Sequence, residues 1–112
     1  MWYHIDMKTK FNNTERYTPQ SVKEKLLIKS ICSLKNEKEV MLFLRDLLTI
    51  AEIEEFANRI EIVRLLSQGI SYAKIAKQTG VSTTTVTRVA HWLYRGTGGY
   101  HTVVERLSQF HK

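Results

Sequence analysis

Residues 82–95 read STTTVTRVAHWLYR and separate into two faces when wound as a helix. At about 100° per residue, Val86, Val89 and Leu93 fall on one side. Thr83, Thr84, Thr87, His91 and Arg95 spread over the other, with no acid among them. Threonine is a poor helix former, so the run Thr83-Thr84-Thr85 is a costly way to build a plain polar surface. Its hydroxyl can hydrogen-bond a base edge, and its methyl can touch a thymine methyl. Thr83, Thr84, Thr87 and His91 are therefore candidate base contacts on double-stranded DNA. Lys74 and Lys77 from the preceding segment, with Ser82, Arg88 and Arg95, are candidate phosphate contacts. The plain alternative is a solvated polar face.

Such a face works only if neighbouring elements hold it outward. Residues 71–93, SYAKIAKQTGVSTTTVTRVAHWL, meet the demands of a helix-turn-helix. Ala76 supplies a small residue where the two helices cross. Gly80 stands four residues later, where the turn needs a left-handed φ. Ile75, Val81, Val86 and Val89 can pin the helices together. Ser82 can cap the second helix and leave first-turn N–H groups near a phosphate. The motif is assigned to residues 71–95. A plain helical hairpin with a glycine turn is the competing description.

Charge points the same way. The chain has 112 residues and a net charge of +6. Residues 1–35 carry +4, residues 36–69 carry −3, and residues 70–112 carry +5, with Glu105 the only acid in that last segment. An acidic waist between basic ends fits a polyanion partner. A membrane surface is not expected, because no basic stretch pairs with a free apolar face. No apolar run approaches the roughly 20 residues of a spanning helix. Cys32 is the single cysteine, which excludes an internal disulfide and a cysteine zinc site. It lies beside Ile31 on an apolar helix and reads as a buried structural thiol. No signal-peptide pattern opens the chain, so the cytoplasm is the expected compartment. His4, His91, His101 and His111 lack metal-ligand spacing. No phosphate loop, dinucleotide fingerprint or catalytic carboxylate pair is present. Neither enzyme activity nor a cofactor is expected.

The pattern along the chain is all-α, with about six helices and no strand-like alternation. Residues 1–18 read as a flexible N-terminal arm and residues 19–112 as one helical DNA-binding domain. Thr18 and Pro19 fit a cap and first turn, followed by a face of Val22, Leu26, Leu27, Ile31 and Leu34. A second helix begins near Asn36. Val40, Phe43, Leu44, Leu47 and Leu48 form its stripe, widened by Met41 and Leu42 until little polar face remains. A helix apolar nearly all round must be buried all round, which in so short a chain points to a homodimer core. Thr49 and Glu52 form a capping box for a third helix, with Ile53, Phe56, Ile60, Val63 and Leu66 facing inward and Gly69 ending it. Gly96, Gly98 and Gly99 break the chain before a last helix carrying Tyr100, Val103, Val104, Leu107 and Phe110.

From Leu42 to Leu107 the chain resembles the tryptophan repressor superfamily. The carrying stretch is LLTIAEIEEFANRIEIVRLLSQGISYAKIAKQTGVSTTTVTR, with its Arg59-x-x-Ile62-Val63 run and its spacing to Thr85-Val86-Thr87-Arg88. The resemblance implies an intertwined all-helical homodimer with two recognition helices one DNA turn apart. It also implies a ligand pocket in which two arginines flank an indole, matched here by Arg59 and Arg88. Where the family has a glycine and a serine that make room for the ligand, this chain has Val89 and Trp92. An arginine on the first motif helix is replaced by Ala73. A tryptophan corepressor is therefore not expected. Arg59 can instead pair with Glu55, four residues earlier, and Arg88 can contact a phosphate.

These readings converge on a dimeric, sequence-specific transcriptional regulator, a repressor acting on a palindromic operator. The alternatives are a helical protein–protein adaptor and the DNA-binding subunit of a recombination or transposition system.

Overall fold

A computed structural model describes residues 16–107 and residue 110. Most of the expected N-terminal arm lies outside the described residues. The helices are α1 (Val22–Cys32), α2 (Glu37–Leu47), α3 (Ile50–Ser67), α4 (Tyr72–Thr79), α5 (Thr83–Arg95) and α6 (Gly99–Arg106). Among the described residues there is no strand.

Short polar side chains set most of the helix starts. Asn36 accepts the Glu39 N–H at 2.9 Å. The capping box of α3 forms in both directions: Glu52 N–H donates to Thr49 Oγ1 at 3.1 Å, and Thr49 N–H to Glu52 Oε1 at 2.9 Å. Ser71 and Ser82 accept the N–H groups of Lys74 and Thr85 at 3.2 and 3.1 Å. At α1 the sequence expectation is corrected. Ser21, not Thr18, is the cap, because Glu24 three residues on completes a box with Ser21. Glu24 Oε1 also accepts the Gln20 N–H at 3.0 Å, and its Oε2 accepts the Tyr17 hydroxyl at 2.8 Å. These donors hold the Glu24 carboxyl below its usual range, the tyrosine most of all.

Two glycines close helices by turning left-handed. After α3, Gly69 takes φ 79°, Gly69 N–H donates to Leu66 O, and Ile70 N–H to Leu65 O. That is a Schellman closure, with apolar Ile70 just past the turn. After α4, Gly80 takes φ 79° and its N–H returns to Ala76 O at 2.9 Å. A Cβ at Gly80 would meet nothing, so backbone conformation alone calls for glycine there.

The chain divides into two compact units, with the boundary inside α3. In the unit formed by residues 17–56, no residue of α1 or α2 is buried. Val22 is 81% exposed, Met41 59% and Leu42 57%. The all-round burial expected for residues 36–48 is therefore not met within one chain. Cys32 is exposed, not buried, because α1 has no interior to put it in.

The unit beginning at Ala57 holds the core. Ile62, Val63, Leu65 and Leu66 of α3 belong to one buried cluster with Ile75 of α4 and Val86, Val89, Ala90 and Leu93 of α5. Val104 and Phe110 complete it, and Ala76 and Val81 pack against it. The expected inner face of α3 is corrected in part. Val63 and Leu66 are buried, but Phe56 and Ile60 are exposed, and Ile62 and Leu65 take the interior instead. The last helix is also shorter than expected. It stops at Arg106, Leu107 caps it, and buried Phe110 lies in a separate turn whose N–H reaches Leu107 O.

Tyr94 of α5 packs beside this core. Burial, then the nearby Tyr72, pushes its phenol up to about 12. Burial also raises Tyr100, partly opposed by Arg59. A raised phenol means that the folded state keeps its proton after the unfolded state has lost it. The contribution is complete below pH 10 and is lost as pH rises towards 12. Urea unfolding across that window should show stability falling with pH. Tyr94→Phe should flatten the slope, leaving the shares due to Tyr100 and to Tyr17, whose phenol the Glu24 hydrogen bond raises.

Candidate nucleic-acid interface

Helices α4 and α5 form the helix-turn-helix at the expected positions. Ile75, Val86, Val89 and Leu93 are buried, fixing which side of α5 faces inward. The other side is exposed at Thr83, Thr84, Thr87, Arg88, His91 and Arg95. Lys74 and Lys77 are exposed on α4. All the candidate base and phosphate contacts thus lie at the surface of one motif. From Ile70 to Val104 the chain carries no acid, so the potential around this surface is set by cations and helix ends.

The threonine run does not behave as three equal side chains. Thr85 is only partly exposed, and its hydroxyl lies 3.1 Å from Ser82 Oγ. Ser82 also accepts the Thr85 N–H, so Thr85 serves the cap and leaves Thr83 and Thr84 to face solvent. Thr87 donates its hydroxyl to Thr83 O at 2.9 Å. His91 meets Trp92 edge-on, with ring centroids 5.3 Å apart and planes at 88°.

Two of the four residues matched to the ligand pocket, Arg59 and Trp92, share a cavity wall. Val89 is buried in the core at 5% exposure, so its branched side chain takes up interior space. Arg88 is exposed on the outward side of α5. Arg59 and Trp92 instead line a cavity of about 560 Å³, together with Ile60. Thr97, Gly99, Tyr100 and Val103, from α6 and the turn before it, form the rest of its wall. Trp92 is 44% exposed, so its indole borders this space without filling it. Sequence reasoning missed the α6 side of the cavity. The run Gly96-Thr97-Gly98-Gly99 reads only as a chain break, and the space it borders depends on α3 lying opposite. Gly96 is itself tightly fitted: a Cβ there would collide with the Trp92 carbonyl.

Two further features can be stated of the described residues. No group of histidine, cysteine and carboxylate side chains could hold a metal ion. No helix is long and apolar enough to cross a membrane. Arg64 and Glu61 form a bidentate pair at 2.8 and 2.7 Å, and that guanidinium holds the Glu61 carboxyl below its usual range. Its partners are adjacent turns of one helix, as expected of a structural i,i+3 pair.

Known proteins share this arrangement. Residues 23–108 match the family described as Trp repressor protein. The chain is 41% identical over 83 residues to an uncharacterized protein, YerC, of Bacillus subtilis, covering 74% of this chain and 80% of that one. A TrpR-like protein from Eubacterium eligens superposes with a TM-score of 0.72 at 37% identity, over 78% of this chain and 90% of that one. A candidate Trp repressor from Staphylococcus aureus superposes at 0.71 with 31% identity, over 78% and 87%. The helix-turn-helix, the all-α architecture and these matches agree: the chain belongs to the Trp repressor family of helix-turn-helix DNA-binding regulators.

Proposed function

We propose that the protein is a sequence-specific transcriptional repressor that binds a palindromic operator as a homodimer. The observation that carries this reading is the acid-free outward side of α5, held in place by a buried inner side and flanked by Lys74 and Lys77 on α4. In this mechanism α5 enters the major groove, where Thr83, Thr84, Thr87 and His91 read base edges. Lys74, Lys77, Ser82, Arg88 and Arg95 hold phosphates and fix register. Occupying the operator then blocks access to the promoter.

The dimer is supported by the unburied apolar surface of α1 and α2. Val22, Leu26, Ile31, Met41, Leu42 and Leu47 are all exposed in a single chain. Burial is worth about 25 cal/mol per Å² of apolar surface, so a second copy covering these helices gains substantially. Two recognition helices would then stand one DNA turn, about 34 Å, apart. Sedimentation at micromolar concentration should give a dimer. A stable monomer there would overturn the intertwined arrangement.

DNA binding should fall steeply with salt, because each neutralised phosphate releases counterions. Lys77→Ala should weaken all duplexes similarly and flatten the salt slope by about one unit, measured by fluorescence anisotropy from low to physiological salt. An adaptor protein would show neither a salt slope nor a preferred palindrome.

Free tryptophan should not be required. Val89 occupies core volume, and Arg88 is exposed on the outward side of α5. The core contacts of Val86, Val89 and Leu93 support a reading in which α5 needs no effector to hold its position. Calorimetry with L-tryptophan, run beside DNA titrations with and without it, tests this. Saturable micromolar binding that also tightens DNA affinity would defeat it.

A further inference from the structure

We propose that Thr87 is a polarity-specific reader: it accepts a hydrogen bond from the exocyclic amine of adenine or cytosine and disfavours the keto oxygens of thymine and guanine. The inference rests on the DNA-binding reading above and deepens it.

A threonine hydroxyl has one proton and two acceptor lone pairs. If the proton is free to rotate, the side chain can donate or accept and so distinguishes little. In Thr87 the proton is committed. Its Oγ1 donates to Thr83 O one turn back, at 2.9 Å. Threonine readily adopts the rotamer that makes this bond in a helix. The residue is exposed, so lone pairs and the γ-methyl are what it offers outward. Among the described residues no hydrogen bond fixes the hydroxyls of Thr83 or Thr84, and that of Thr85 is engaged with the Ser82 cap. Thr87 is therefore the one exposed threonine of α5 with a set polarity.

In the major groove the donors are adenine N6 and cytosine N4, while thymine O4 and guanine O6 are acceptors. Each base pair holds one amine and one keto group. An acceptor-only side chain thus cannot separate A·T from G·C. It separates the two orientations of either pair, because reversing a pair exchanges amine for keto on the contacted strand. The resulting preference groups the bases by polarity: adenine and cytosine are accepted together, guanine and thymine are rejected together.

The test selects sites from a randomised duplex pool with the full chain, using wild type, T87V and T87S. Wild type should show one position in each half-site that admits adenine and cytosine and excludes guanine and thymine by at least about fivefold. T87V keeps the shape but loses the acceptor, and should admit all four bases there. T87S should retain the preference. In a second arm, purine replaces adenine, or 2-pyrimidinone replaces cytosine, at that position, which removes the amine and the one base-pair hydrogen bond it makes. Wild-type affinity should fall by a similar factor and T87V affinity should not change. The same replacement at another pair of the half-site controls for the lost base-pair hydrogen bond, so the wild-type half of this arm remains decisive even if T87V does not fold. The inference is overturned if T87V alters no position, if the altered position prefers guanine or thymine, or if amine removal costs wild type nothing. If wild type selects no site at all, the regulator reading itself fails, which is visible before any variant is compared.

Discussion

The burial of one side of α5 in the core it shares with α3, α4 and α6 is the constraint on which the rest depends. Val86, Val89, Ala90 and Leu93 share a core with Ile62, Val63, Leu65 and Leu66. Each apolar side chain removed from water contributes about 1.5–3 kcal/mol, so rotating α5 about its axis would forfeit several such contributions at once. The outward side is therefore a consequence of the inward one. Thr83, Thr84, Thr87 and His91 are presented because their neighbours one and two positions away are needed inside.

Backbone chemistry fixes the angle at which that helix leaves α4. Gly80 turns the chain left-handed, and Ser82 starts α5 two residues later by accepting the Thr85 N–H. Thr79 adds to the turn, donating its hydroxyl to Ile75 O at 2.7 Å. These contacts span only a few residues and need no distant partner. The Gly80 turn and the Ser82 cap were readable from residue identity, whereas the Thr79 bond was not. The Thr49–Glu52 box was legible for the same reason, and so was the start of α2 near Asn36.

What stayed hidden depended on residues far away in sequence. Periodicity places Phe56, Ile60, Val63 and Leu66 on one stripe of α3, yet only the last two are buried. Which part of an apolar stripe finds cover depends on what lies opposite, and no spacing rule encodes that. Cys32 shows the same limit: an apolar neighbour is no guarantee of an interior. The end of α6 was overextended because Leu107 and Phe110 continue the helical period, although only Phe110 is buried, from a separate turn. The candidate DNA contacts were legible as a set of exposed positions. The division of labour within the threonine run was not, because it rests on where single hydroxyl protons go.

Trp92 gives the molecule an intrinsic optical probe. The chain has two tryptophans, and the other, Trp2, lies near the N-terminus. The indole of Trp92 touches His91 on one side and borders the cavity on the other. An indole's emission follows the polarity of its immediate surroundings, and this one is 44% exposed. Water displaced from the end of α5 would alter those surroundings by way of His91, and water displaced from the cavity would alter them directly. One chromophore therefore samples two surfaces of the same unit, and replacing Trp2 would leave its spectrum unmixed.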